Sequence, residues 1–350
     1  MGQRVGYGRA ATMGEVASAA GVSQSTVSRV VNGNPRVDPE VRRKVEREIR
    51  RLGYVPNMAA RTLVTRRSDS VGVVIPEPAS RIFGDPFFAQ VLRGISGALN
   101  ARRQRLVLLI AEDQEQERWL APYLMAGHVD GIIMYSLHGD DPLPGELRQR
   151  GIQVVVGGLP PRGTRVSYVD TDNVGGAHAA TSHLIRLGRK VVTTLAGPQD
   201  MIAGVDRLAG YREALRTAGL PADERLVAYG QFTRESGMSA MSELLARRPD
   251  LDAVFVASDL MASGALEVLR SAGRRVPRDV AVVGFDDSPI ALMTDPPLTS
   301  VRQSPEVMGR ELVELLNGHI EARDQVIRKV VLDTQLIVRG SCGGKPSTNA

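Results

Sequence analysis

Cysteine is nearly absent: Cys342 stands alone in 350 residues. A single thiol excludes an internal disulfide and any cysteine-rich zinc site, and Cys342 is expected to be a bystander. No apolar run reaches the ~18 residues that span a bilayer, so no membrane partner is expected. The opening MGQRVGYGRAATMGEVA lacks the apolar core of a secretory signal, which predicts a cytoplasmic protein. Catalytic signatures are missing as well. There is no Gly-x-x-x-x-Gly-Lys-Ser/Thr loop, no Gly-x-Gly-x-x-Gly after the first strand and no Gly-x-Ser-x-Gly elbow. His178 and His183 would diverge by ~140° on a helix and make a poor metal pair. Asp286 and Asp287 are adjacent in a loop and lack a third group for acid–base work. No enzyme activity, no cofactor and no metal are expected. The one tryptophan, Trp119, falls on a helical stretch beside Leu120 and Leu124 and is expected to pack.

What is present is unevenly charged. Residues 1–68 hold 13 Lys+Arg and 5 Asp+Glu, a net of +8, while the remainder carries −3. A basic head on a slightly acidic body points to a polyanionic partner, with a solvated basic face as the plainer alternative. Residues 1–11 are expected to be a disordered leader, and three helices fit within 12–52. Thr12 and Glu15 form a Thr-x-x-Glu capping box, and Gly21 ends the first helix. Ser23 caps a second helix, Gln24–Asn32, whose Val27, Val30 and Val31 face inward. Asp38-Pro39 starts a third, striped by Val41, Val45, Ile49 and Leu52 and stopped by Gly53.

Two short helices joined by a glycine turn and closed by a third make a helix-turn-helix. Its second helix leaves Gln24, Ser25, Ser28 and Arg29 facing out, where N-terminal side chains reach base edges of the major groove. Arg29 can bridge guanine O6 and N7, and Gln24 can pair with adenine. Ser23, Thr26 and Asn32 suit phosphate oxygens. A polar three-helix bundle without a DNA role is the competing reading. Next, Asn57 can cap a short helix through about Leu63, too short to be stable alone and hence a hinge candidate. Leu63 would enter a minor-groove base step as an apolar wedge, or else pack on the body.

From residue 70 the pattern becomes α/β. Strand-like runs at 71–76, 105–111, 130–135, 152–158, 190–197, 252–258 and 279–286 alternate with amphipathic stretches at 87–103, 173–187, 204–218, 234–247 and 259–273. Continuous β-branched runs fit parallel strands buried on both faces. About 280 residues exceed one such sheet, so two lobes flanking a cleft are expected.

The motifs TMGEVASAAGVSQSTVSRVVNG, GYVPNMAARTL, HLIRLGRK, DRLAGYREAL, ASDLMASGAL and VVGFDDSP, in that order, resemble the LacI/GalR family of bacterial transcription regulators over about residues 12–340. The resemblance implies an N-terminal all-α helix-turn-helix DNA-binding domain (12–56) and a hinge helix with linker (57–69). It also implies an effector-binding and dimerisation core (70–340) like the periplasmic binding proteins, with two parallel doubly wound sheets, and residues 341–350 are expected to be a disordered tail. The two lobes, crossed three times, would be about 70–168 with 299–328 and 169–298 with 329–340. The family implies a homodimer on a near-palindromic double-stranded operator, probing the nucleoid, with a small effector, a sugar by preference, between the lobes. By position, Gln24, Ser25 and Arg29 would read bases and Leu63 would wedge the minor groove, while Thr12, Ser23, Thr26, Ser28, Asn32, Asn57 and Ala60 complete the DNA-contacting set. In the cleft, Arg207, Phe232, Ser258, Asp286 and Gln303 match effector-contacting positions, with Phe87 and Phe88 near the mouth. Ser258 departs from the more usual Asn, and PEPASRIFGDP is an extended loop that gives this cleft its own rim. No leucine-rich tail follows, so a dimer is expected rather than a tetramer.

The cleft chemistry fits a polyhydroxylated ligand. Arg207 can fork onto vicinal hydroxyls, Asp286 can accept from them, and Phe232 can face the apolar side of a pyranose. Each has a plainer reading: Arg207 as a surface ion pair, Asp286 as a helix cap, Phe232 as core. A soluble sugar-binding transport protein is the alternative function, opposed by the basic head. An α/β enzyme with a regulatory head is opposed by the missing catalytic groups.

Overall fold

The computed structural model describes residues 11–31, 33–55, 67–322 and 326–345. The leader through residue 10, Asn32, and the proposed hinge positions Asn57, Ala60 and Leu63 lie outside them. The chain forms two compact units, 1–68 and 69–350.

The described residues of the first unit form α1 (Met13–Ala20), α2 (Gln24–Val31) and α3 (Pro39–Leu52). Local chemistry sets both ends of α1 and α3 and the start of α2. Thr12 Oγ1 accepts from the Glu15 N–H at 3.3 Å, and Glu15 Oε2 accepts from the Thr12 N–H at 2.7 Å. Two otherwise orphaned donors are thereby satisfied reciprocally. Gly21 takes φ 64°, a left-handed cap that a side chain would strain. Ser23 Oγ accepts from the Thr26 N–H at 3.2 Å and starts α2. Asp38 Oδ1 accepts from the N–H groups of Glu40 and Val41 at 2.8 and 3.2 Å. Val16, Ala17, Ala20, Val27, Val30, Val45 and Tyr54 then close one small core.

The second unit holds two six-stranded sheets. The first has the order β11-β5-β4-β3-β1-β2 and is wholly parallel, from β1 (Ser70–Ile75), β2 (Arg105–Ile110), β3 (Gly131–Tyr135), β4 (Val154–Gly157), β5 (Ser167–Thr171) and β11 (Lys329–Leu332). The second has the order β12-β10-β9-β8-β6-β7, from β6 (Val192–Ala196), β7 (Val227–Tyr229), β8 (Ala253–Val256), β9 (Ala281–Asp286), β10 (Thr299–Arg302) and β12 (Gln335–Ile337). Among the described residues only the β10–β12 pair is antiparallel. Strands β1, β3 and β4 are buried along their whole length, as β-branched runs covered by helices on both faces must be.

Around the first sheet lie α4 (Ala79–Gly84), α5 (Pro86–Ala101), α6 (Gln114–Met125), α7 (Leu143–Gln149) and α13 (Pro305–Ala322). Around the second lie α8 (Asn173–Arg186), α9 (Ile202–Thr217), α10 (Arg234–Arg247), α11 (Asp259–Ser271) and α12 (Pro289–Met293). Helices α5 and α13 meet backbone to backbone. A Cβ on Gly94 would sit 2.2 Å from the Glu306 carbonyl oxygen, and one on Gly309 would sit 2.3 Å from that of Val91.

Strand pairing corrects the expected lobe limits. Residues 167–171 belong wholly to the first sheet, because Val155 pairs with Ser167 and Val156 with Tyr168. Residues 299–302 belong to the second, where Thr299 pairs with Val283. Residues 329–332 return to the first, with Lys329 opposite Tyr168. Thus the chain crosses between sheets after β5, after β10 and after β11. Two further expectations fail. Trp119 does not pack but is 79% exposed on α6. The stretch from 341 is not all loose tail: Ser341 and Cys342 are buried, and Ser341 Oγ accepts from the Thr299 N–H at 2.8 Å and donates to the Val282 carbonyl at 2.7 Å. Both outcomes are set by three-dimensional neighbours that no local pattern encodes.

Candidate functional site

On the head, α2 buries Val27 and Val30 and leaves Gln24, Ser25 and Arg29 exposed. Ser28 and Thr26 are half-buried, so Ser28 faces out less than expected. The Ser23 hydroxyl is shared with Ser25 Oγ at 2.7 Å and Thr26 Oγ1 at 2.9 Å, clustering three hydroxyls at the helix start. Exposed Thr12 caps the neighbouring α1. The Gln24 amide lies over Gly14 of α1, where an added Cβ would stand 3.0 Å from Nε2. The result is a basic, polar helix face whose first turn carries side chains able to donate to and accept from base edges and phosphates.

In the body, a cavity of about 100 Å³ opens between the two sheets. All seven cleft residues singled out from the sequence line it: Phe87, Phe88, Arg207, Phe232, Ser258, Asp286 and Gln303. Phe232, Ser258, Asp286 and Gln303 stand at or just past the carboxyl ends of strands, the place where open parallel sheets bind ligands, while Phe87 and Phe88 come from the start of α5 and Arg207 from α9. Arg207, on the first turns of α9, is 7% exposed. Its Nε donates to Asn173 Oδ1 at 2.9 Å, and its Nη1 donates to the Ala257 carbonyl at 2.5 Å and faces Asp286 Oδ1 at 3.4 Å. Its guanidinium carbon lies 3.7 Å from the Phe285 ring centroid and 5.5 Å from that of Phe232. Gln303 Nε2 donates to the same Asp286 oxygen at 2.6 Å, while Gln303 Oε1 accepts from Thr171 Oγ1 at 3.1 Å. Arg207 is therefore a buried hub rather than a surface ion pair. Ser258 Oγ accepts from the Met261 N–H at 3.2 Å and caps α11, which leaves its proton free to donate.

Burial dominates the electrostatics. It pushes the Asp286 carboxyl up to about 7, with Arg207 pulling the other way. It pushes Asp170 up to about 6 and raises Asp85, both on the cavity wall. Among the described residues, six non-glycine residues take positive φ, namely Asp69, Arg103, Ser136, Phe232, Asp286 and Asp287, and three of them, Ser136 (64°), Phe232 (55°) and Asp286 (111°), line the cavity. Non-glycine residues held in that region cost free energy and cluster where side chains must be aimed.

Sequence reasoning missed Arg81, Asp85, Tyr135, Asp170 and Asn173, all on the cavity wall. Tyr135, Asp170 and Asn173 share a signal, a polar or aromatic residue at the end of an apolar strand or on the first turn after it, as in SYVDTDN and GIIMYS, whereas Arg81 and Asp85 come from the loop PEPASRIFGDP. Among the described residues no cluster of His, Cys, Asp and Glu is arranged to hold a metal ion, and no helix is long and apolar enough to cross a membrane.

Comparison with known proteins places both units. Residues 12–57 match the model of bacterial regulatory proteins of the lacI family, and 181–342 match a periplasmic binding protein-like domain. The chain is 52% identical to the HTH-type transcriptional regulator CelR of Thermobifida fusca over 336 residues, 95% of this chain and 98% of that one. It is 33% identical to the transcriptional repressor CytR of Escherichia coli K12 over 340 residues, 96% and 98% of the two chains. Among solved structures, a CelR–cellobiose complex matches at 49% identity with a TM-score of 0.76, covering 95% of this chain and 99% of that one. A lac repressor dimer bound to operator and an anti-inducer matches at 26% identity with a TM-score of 0.85 over the same shares. With a helix-turn-helix head, a two-sheet body and a polar cleft already in view, these likenesses lead to one conclusion: the chain belongs to the LacI family of bacterial transcriptional regulators.

Proposed function

We propose that this regulator is a repressor that binds a near-palindromic operator as a homodimer and is controlled by a β-linked glucose disaccharide, of which cellobiose is the model, in its cleft. The observation that carries the sugar reading is the buried Arg207–Asp286–Gln303 constellation inside a cavity between two lobes. It offers paired donors and acceptors to vicinal hydroxyls beside an aromatic ring, on a chain half identical to CelR. Gln24, Ser25 and Arg29 read base edges. Thr12, Ser23, Thr26, Ser28 and Asn32 position the helix on phosphates, and Asn57, Ala60 and Leu63 act at the central minor groove. The protein works in the cytoplasm, on the nucleoid. A homodimer is supported by β2, an edge strand whose Leu106–Ile110 are only half-buried, and by exposed Trp119 on the helix that follows. A transport protein would have no use for the basic head.

The test selects duplexes from a random pool with the full-length protein and then titrates cellobiose against the selected complex. Recovery of a two-fold-symmetric site whose affinity changes with cellobiose is expected. A protein without sequence preference refutes the regulator reading, and an operator complex indifferent to cellobiose refutes the effector.

A further inference from the structure

The mouth of the cleft carries a second arginine that the sequence motifs did not mark. Arg81 sits on α4, in the extended loop after β1, and its side chain is 13% exposed. Its Nη1 pairs with Glu77 at 2.6 Å. Glu77 is 2% exposed and also accepts from Ser136 Oγ at 2.6 Å, with His138 Nε2 at 3.1 Å. That anchoring uses one guanidinium nitrogen. Among the described residues Nη2 meets only the Met201 sulfur, at 3.9 Å, a weak acceptor. Nε is buried with no hydrogen-bond partner among the described residues. A buried N–H with no acceptor carries the full penalty of its desolvation, so its presence on a cavity wall marks a place where an acceptor is missing.

The surroundings say what kind of acceptor. The Arg81 guanidinium carbon lies 5.9 Å from the Phe88 ring centroid and 5.6 Å from that of Phe232. Phe232 is also the ring beside Arg207, at 5.5 Å. One arginine from each lobe thus approaches the same aromatic ring. Asp85 closes the wall near Arg81, with Oδ1 accepting from the Phe87 N–H at 2.9 Å. Three carboxyls, Asp85, Asp170 and Asp286, share the cavity with two arginines. There is no excess of positive charge to hold a phosphate or a uronate, so a neutral polyol fits best.

We propose that Arg81 and Asp85 form a second sugar subsite at the mouth of the cleft, so that the cleft selects a two-ring sugar. Arg207, Asp286 and Gln303 hold one ring, and Arg81 donates through Nε and Nη2 to oxygens of the other. The proposal rests on the disaccharide reading of the cleft and adds the residues that hold its outer ring. Because Arg81 comes from one lobe and Met201 and Phe232 from the other, the outer ring is held by both.

The experiment is calorimetric titration of the full-length chain with glucose, methyl β-glucoside and cellobiose, on wild type and Arg81→Met. Methionine keeps much of the stem between the two phenyl rings and removes every donor. The wild type is expected to bind cellobiose at least about 100-fold more tightly than either single-ring sugar. Arg81→Met is expected to lose on the order of 10- to 100-fold for cellobiose, the range for hydrogen bonds from a charged donor, and to narrow the gap to the single-ring sugars. If the methionine variant folds poorly, Arg81→Lys keeps the ion pair to Glu77 but lacks Nε–H, and the same narrowing is expected. Unchanged cellobiose affinity in the folded variant overturns the subsite alone, as does an equal loss for all three sugars. Failure of wild type to bind any of the three overturns the sugar reading and the subsite with it.

Discussion

Replacing Asp286 by Asn should stabilise the free protein and weaken its effector, two effects of opposite sign from one atom. Asp286 is enclosed by Arg207 and Gln303, and burial holds its carboxyl at about 7 instead of the ordinary 3.8. Each factor of ten in ionisation is about 1.4 kcal/mol, so keeping this group charged in the native state costs on the order of 4 kcal/mol at most. That figure already contains the attraction of Arg207. The pKa is raised on folding. The stability linked to it is therefore fully present below 3.8 and lost as pH rises through about 7. Asn mimics the protonated form at every pH and escapes the loss. Denaturant melts of unliganded protein at pH 4 and pH 8 should show Asp286→Asn close to wild type at the lower pH. At the higher pH the variant should be more stable, by roughly 1–4 kcal/mol. The same change removes a charged acceptor for sugar hydroxyls, so cellobiose affinity should fall about 10- to 100-fold. An Asn variant less stable than wild type at pH 8, or one whose advantage is the same at both pH values, refutes this account of the cleft.

Arg29→Ala should cost about 1–3 kcal/mol of specific operator affinity per half-site and leave cellobiose binding intact, and an unchanged footprint with wild-type preference refutes the base-reading role. His138 presents Nε2 to Glu77 at 3.1 Å and Nδ1 to Asp200 at 2.8 Å, across the mouth of the cleft. Only an imidazolium donates from both nitrogens, and the Glu77 hydrogen bond, against burial, holds its pKa above 6.5. The bridge is fully present below 6.5 and lost as pH rises through the elevated value. Stability of the unliganded protein should therefore fall as pH rises through that value, and the part due to His138 should vanish in His138→Gln, checked by denaturant melts across neutral pH; an identical pH profile in the variant refutes the bridge. Gly309→Ala should destabilise by about 1–3 kcal/mol in chemical denaturation, since its Cβ would stand 2.3 Å from a backbone oxygen of α5, and an unshifted midpoint refutes that contact.

The sequence alone determined the elements whose signals are local. Thr12 with Glu15, Gly21, Ser23 and Asp38-Pro39 bound the head helices because a cap acts within one turn. The runs at 71–76, 130–135 and 279–286 were legible as strands because burial on both faces demands continuous apolar residues. The seven cleft residues came through family motifs, and all seven reach the cavity wall. The tertiary structure decided what depends on distant neighbours. Short strands such as Val227–Tyr229 and Gln335–Ile337 carry too few residues for a period, and only their partners make them strands. The crossings after β5, β10 and β11 are set by pairing and not by composition. Asp170, Asn173 and Arg81 gain their meaning because parallel strands deliver their carboxyl ends to one place. Trp119 and Cys342 exchanged their expected fates for the same reason: exposure is a property of what packs against a side chain, and that is written across the whole fold.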